Sequence, residues 1–202
     1  MRAVVRFVAS VMVVSGVLLI ADAAATLLWE EPVSALVAER QQAKLEEALA
    51  EPPPRVLRKK PLPGDAIGRL EIPAIAVKDY VVEGTDTANL RKGPGHYPDT
   101  PLPGERGTAA IAGHRTTYGA PFRNIDQLKR GQVIRIDLPY GRYVYRVERT
   151  KIVDDSDLSV LRRVRHDRLV LSACHPLYSA AQRVIVFARV VRREPSRVKE
   201  AR

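Results

Sequence analysis

Among 202 residues there is one cysteine, Cys174, which ends the apolar run Leu169-Val170-Leu171-Ser172-Ala173-Cys174. Arg183 follows nine positions later, and His114 lies sixty positions upstream in Gly113-His114-Arg115. A thiol, a guanidinium and an imidazole are the set that acyl transfer by a thiolate needs. The thiolate attacks a carbonyl, the cation favours the thiolate and steadies the oxyanion, and the imidazole moves the proton. The plain alternative is that Cys174 is a small buried hydrophobe, as most free cysteines are. Against it stands the start of the chain, which reads as an export or anchor segment. Outside the reducing cytosol an unpaired thiol is unusual unless it is used.

The chemistry requires elements that bring these groups together. Residues 169–174 and 183–191 read as adjacent antiparallel strands joined by residues 175–181, which sets Cys174 opposite Gln182 or Arg183. Directly opposed side chains share a face, with Cβ atoms about 4.5–5.5 Å apart. Four histidines are candidates for the proton carrier: His96, His114, His166 and His175. His175 directly follows Cys174 and would point to the other face of a continuing strand, an objection that weakens if the strand ends before it. His166, between Arg165 and Asp167, reads as solvated, and His96 in a turn-rich stretch reads as a structural hydrogen bonder. His114 ends an apolar strand and opens a polar loop, the usual setting of a catalytic group on a rigid sheet. It is the best placed of the four, though position alone does not establish proximity.

The rest of the chain from residue 64 is β-rich. Residues 66–72, 79–83 and 108–112 are short strand candidates, and 132–138 and 143–147 form a hairpin about Pro139-Tyr140-Gly141-Arg142. Helix is confined to short pieces at 122–128 and 157–161. Short strands separated by Gly/Pro turns imply a closed or nearly closed barrel. Upstream, Arg2 and Arg6 precede fifteen uncharged residues, 7–21, and the apolar pattern resumes through Trp29. As a helix, residues 7–29 reach roughly 34 Å, enough to cross a bilayer, and the charge bias leaves the remainder outside. A cleaved signal peptide is the rival reading. Trp29 falls at the outer interface, before Glu30 and Glu31. Residues 33–50 read as a polar helical stalk with a thin stripe at Leu45 and Leu49. The prolines at 52–54 stop it, and 55–63 reads as an extended spacer. The expected divisions are 1–31 cytoplasmic start and transmembrane anchor, 32–63 stalk and linker, 64–193 catalytic barrel, and 194–202 basic tail.

The motifs Ala112-Gly-His-Arg-Thr-Thr-Tyr-Gly-Ala-Pro-Phe122, Leu171-Ser-Ala-Cys-His-Pro176 and Ser179-Ala-Ala-Gln-Arg183 together resemble the sortases. The likeness is strongest to class E of high-GC Gram-positive bacteria and covers residues 64–192. Gly68-Arg-Leu-Glu-Ile-Pro73, Val82-Glu-Gly84 and Gly93-Pro-Gly-His-Tyr-Pro98 add to it. The resemblance implies a mostly β fold, an eight-stranded barrel behind a transmembrane helix, and a cysteine transpeptidase. It implies Cys174 as nucleophile on a Thr–Gly bond of a Leu-Ala-X-Thr-Gly or Leu-Pro-X-Thr-Gly sorting signal. His114 is then the proton donor and acceptor, and Arg183 the oxyanion and substrate holder. Substrate contacts are implied at Thr116, Thr117, Tyr118 and Ala173, the last standing where the family usually has threonine. Exported proteins with a sorting signal and a peptidoglycan-precursor amine are the implied partners, at the outer face of the cell membrane.

The net charge of +10 fits contact with anionic surfaces. A nucleic-acid role is not expected, because export and 5% aromatic content leave few stacking platforms. No cofactor or metal is expected, and Asp154, Asp155 and Asp157 read as a solvated acidic turn. Two other function classes fit the same residues: a hydrolytic cysteine peptidase, and a non-enzymatic, membrane-tethered basic binding module.

Overall fold

A computed structural model describes residues 2–28 and 32–195. Eight strands run β1 (Ala66–Ile72), β2 (Val77–Glu83), β3 (Gly95–His96), β4 (Gly107–Ala112), β5 (Val133–Leu138), β6 (Gly141–Asp154), β7 (Asp167–His175) and β8 (Gln182–Pro195). They close a barrel in the order β1-β2-β3-β4-β7-β8-β6-β5. Period-two patterning builds the inside: Leu169, Leu171 and Ala173 of β7 meet Val184, Val186 and Ala188 of β8, with Ile134 and Ile136 from β5. The four strands β4, β7, β8 and β6 are apolar on their outer face too, where Ala110, Val153, Val170, Ile185 and Phe187 cluster. The β6–β7 connection covers that face through Val160 of the 3₁₀ turn Leu158–Leu161. Asp157 caps this turn, accepting from the Ser159 N–H.

The barrel and seven of its strands stand close to where the residues placed them; the short β3 falls in the stretch around His96 that read as turns. The β5–β6 hairpin turns through Pro139 and Tyr140, and the piece at 122–128 is a 3₁₀ turn, Ile125–Gln127. Helices α1 (Arg2–Leu28), α2 (Pro32–Ala50), α3 (Pro54–Leu57) and α4 (Thr87–Leu90) complete the chain. The segment Arg2–Ala24 of α1 is long and apolar enough to cross a membrane, and Phe7, Leu19 and Ile20 are exposed. Trp29, Glu30, Glu31 and residues 196–202 lie outside the described residues.

Residues 55–63 are not an extended spacer. Pro53 and Pro54 stop α2 but suit the opening of α3, because proline's fixed φ fits a first helical turn. Val56 is buried, and Arg55 pairs with Asp65 at 2.6 Å. The helix α2 is likewise docked, not free. Leu45 is buried with Ala66 and Val82, and Leu49 and Tyr80 pack against them.

The end of the barrel away from Cys174 holds a polar network. Tyr145 Oη donates to Asp167 at 2.9 Å and accepts the Gly104 N–H at 2.8 Å. Burial holds the Asp167 carboxyl above the usual carboxylate range, outweighing the Tyr145 and Arg193 hydrogen bonds that favour its charge. With the folded value above the unfolded one, the stability tied to the neutral acid is present below about pH 4 and lost as pH rises through the folded value. Asp167→Asn, which keeps an acceptor for Tyr145, is expected to flatten that decline in denaturant midpoints measured from pH 3 upward.

Candidate active site

Strand β7 is paired on both sides, and its C-terminal end collects the chemistry. Across the antiparallel β7–β8 ladder Cys174 faces Arg183, and across β8–β6 Arg183 faces Val153. Val153 belongs to the outer apolar cluster, so this row lies on the outer face of the barrel. On the other side, β4 runs parallel to β7 with Ala112 beside Ser172. The ladder continues to the Gly113 N–H, which donates to the Ser172 carbonyl at 3.0 Å. Gly113 thus lies beside Ser172, and His114 follows one residue past this last bond, while half-buried Cys174 lies two residues beyond Ser172 on β7. Ala110, in the outer cluster, and Ala112 share His114's parity, so a strand continued to His114 would turn its side chain to that outer face.

The loop after His114 is fixed by the core beneath it. Phe122, Ile125 and Leu128 are buried members of the main cluster and plug this end of the barrel. Gly113 is needed for that plug, since a Cβ there would stand 2.5 Å from the Phe122 ring. The Phe122 N–H donates back to the His114 carbonyl at 2.9 Å. A residue that sequence reasoning passed over, Arg115, ties the loop to the cysteine. Its guanidinium is buried and donates to the Cys174 carbonyl at 3.2 Å and to the Arg123 carbonyl at 3.0 and 3.2 Å. It also pairs with Asp126 at 2.9 Å and lies 3.4 Å from His175 Nδ1. Its only signal in the sequence is its place next to His114.

Burial, with the Arg91 charge second, holds the His114 imidazole below its ordinary range. Its Nε2 is buried with no hydrogen-bond partner among the described residues. The Tyr118 ring lies 5.3 Å from the His114 ring, and the Arg91 guanidinium stacks 5.5 Å over Tyr118. Arg183 Nη1 donates to the Ala180 and Gln182 carbonyls at 2.7 and 2.9 Å. It has no carboxylate partner among the described residues, so its charge is not neutralised locally.

Thr116, Thr117 and Tyr118 are half-buried on the loop beside His114. Ala173 is placed apart from them: it is 3% exposed, facing the barrel interior with the core cluster, as strand alternation demands of Cys174's neighbour. His96 is buried, its Nδ1 2.9 Å from Glu83 and its Nε2 3.0 Å from the Pro101 carbonyl. His166 is half-buried with an enclosed Nε2, where a solvated ring was expected. The cause is the pairing of its carbonyl with the Gly107 N–H, which draws the residue onto β4.

Two outcomes follow from this geometry. Replacing the forked donor by a single point, Arg115→Lys, leaves buried carbonyls unpaired and is expected to cost about 1–3 kcal/mol in thermal unfolding. Arg91→Ala removes a positive charge near His114, so the ring's titration midpoint, read from its C–H proton resonances, is expected to rise. High salt, which screens exposed charges, should shrink the difference between variant and wild type.

Residues 70–191 match the family model described as the Sortase domain. Sortase D of Bacillus subtilis is 39% identical over 137 residues, covering 65% of this chain and 67% of that protein. Sortase SrtE1 of Streptomyces coelicolor is 29% identical over 149 residues, covering 66% of this chain and 42% of that protein. Among solved structures, a sortase D5 transpeptidase of Clostridium perfringens superposes with TM-score 0.67 at 26% identity, over 77% of this chain and 99% of that one. Sortase E1 of Streptomyces coelicolor, solved with a tripeptide in its active site, gives 0.63 at 28% identity, over 67% and 93%. Both class D and class E relatives are thus similar to this chain. With the eight-stranded closed barrel and a free cysteine at the end of its seventh strand, the chain belongs to the sortase family of cysteine transpeptidases.

Proposed function

We propose that Cys174, His114 and Arg183 carry out transpeptidation on a sorting signal of the Leu-Ala-X-Thr-Gly or Leu-Pro-X-Thr-Gly kind. The observation that supports this best is the outer-face row in which Arg183 opposes Cys174, beside a β4–β7 pairing whose last bond, from Gly113, comes one residue before His114. The Cys174 sulfur attacks the threonine carbonyl carbon, and the proton leaving the sulfur is taken up by His114 Nε2. A ring held below its ordinary range is neutral near pH 7 and can accept that proton. The un-neutralised guanidinium of Arg183 offsets the charge that develops on the carbonyl oxygen. When the C–N bond breaks, His114 delivers the proton to the glycine nitrogen, leaving a thioester on Cys174. An incoming amine then attacks the thioester and gives a proton to His114, which returns it to the sulfur as the C–S bond breaks.

In this reading the donors are exported proteins and the acceptor is an amine of a peptidoglycan precursor. The apolar helix α1 holds the enzyme in the cell membrane as a single-pass protein, with residues 64–193 as the extracellular catalytic unit. Thr116, Thr117 and Tyr118 line the approach to His114 and contact the signal. A contact from Ala173 would come through its backbone, since its side chain is in the core.

The test uses the full chain in detergent micelles with a Leu-Ala-X-Thr-Gly peptide and an added amine. Intact mass is expected to show a thioester adduct on the wild type and none on Cys174→Ala. Arg183→Ala is expected to lower kcat/KM by about 10²–10³-fold. Release of free acid alone, whatever the amine concentration, would make the protein a hydrolase instead. Full activity in Cys174→Ala would end the proposal.

A further inference from the structure

The helix α2 is bonded to the loop that carries His114. Ser34, in its first turn, accepts the Tyr118 N–H through Oγ at 3.1 Å. Tyr118 and Ala120 both sit at positive φ, 52° and 41°, a conformation that costs energy for residues with a Cβ and needs support from its surroundings. Two turns along, Gln42 fills the open edge of β2. Its Oε1 accepts the Tyr80 N–H at 2.6 Å, and its Nε2 donates to the Tyr80 and Lys92 carbonyls at 3.0 and 2.8 Å. Gly93 makes room for this, because a Cβ there would stand 2.1 Å from Gln42 Nε2. Lys92 adjoins Arg91, whose guanidinium covers Tyr118. Ser34 therefore holds the Tyr118 backbone, while Gln42 fixes the segment that presents the cation above the Tyr118 ring. Ser34, Ala38, Gln42, Leu45 and Leu49 recur at helical spacing on one face, and Ala38 and Leu45 are buried.

We infer that α2 is a positioning arm of the active site, with Ser34 and Gln42 as positioning residues that act on His114 through Tyr118. The inference rests on the assignment of His114 as the proton carrier. Without the Ser34 bond, the Tyr118 loop loses its outside support, the ring cover over His114 loosens, and water reaches the imidazole. Since burial is the main cause of the low His114 value, hydration raises it. The chain needed for full turnover thus begins upstream of the barrel, at α2.

The experiment measures kcat, its pH profile and thermal unfolding for the full chain in detergent micelles, with a Leu-Ala-X-Thr-Gly peptide and an amine. Ser34→Ala is expected to lower kcat by roughly 3- to 10-fold, the worth of one hydrogen bond, and to move the histidine limb of the profile to higher pH. Its melting temperature should stay near that of wild type, and Ser34→Thr, which keeps the acceptor, should restore kcat to within about twofold. Gln42→Ala is expected to lower both kcat and the melting temperature, whereas Glu47→Ala, on the exposed side of α2, should change neither. If Ser34→Ala keeps wild-type kcat and pH profile, or if every loss merely follows the melting temperature, the arm is only a support and the inference is wrong. An inactive wild type would instead strike at the assignment of the catalytic residues.

Discussion

The double pairing of β7 is the constraint on which the site depends. One neighbour, β8, brings Arg183 to Cys174, and the other, β4, leads into His114. Side chains alternate faces along a strand, so a slip of one residue in either ladder would turn Cys174 into the core and Ala173 out to the outer face. What prevents the slip is the apolar pattern on both faces. Leu169, Leu171 and Ala173 fill the inside while Val170 joins the outer cluster, and neither set can be exchanged for the polar residues that follow. The register that builds the core is therefore the same register that sets Cys174 against Arg183.

Strand pairing positions backbones, but His114 lies past the last residue of β4 and needs another restraint. Arg115 supplies it from inside the protein. A buried guanidinium is tolerable only when its donors are met, and here carbonyls from two segments and one carboxylate meet them. Because one of those carbonyls belongs to Cys174, the histidine loop cannot drift from the cysteine strand without leaving a buried charge poorly paired. Lysine, a point charge on a flexible stem, could not span the same partners.

Much of this was legible in the residue order. The β5–β6 hairpin showed in its alternation and turn, and the strand–loop–strand about residues 175–181 put Cys174 against Gln182 or Arg183; the structure selects Arg183. The docking of α2 was not legible, because beside the small Leu45 cluster it depends on hydrogen bonds that Ser34 and Gln42 share with backbone groups. Nothing in sequence marks which backbone edge a barrel leaves unpaired. Leu45 and Leu49 alone looked like too thin a stripe to bury. The placement of His166 was missed for a similar reason: its neighbours Arg165 and Asp167 are charged, but Asp167 itself is buried in the polar network at the start of β7. Charge in the sequence was read as solvation where the fold supplied partners.

The contact between Ser34 and Tyr118 also fixes a length. Leu28 and Ser34 are six residues apart, and six residues of extended chain reach at most about 21 Å. For the membrane attachment proposed through α1, that leash sets a ceiling on how far Tyr118 and the site beside it can rise above the lipid. With that proposed anchor, the enzyme would patrol a thin layer just over the headgroups. Under the proposed function, a donor whose scissile bond lies a few residues from its own anchor would enter that layer without bending, and one cut at a greater height would have to fold down to be reached.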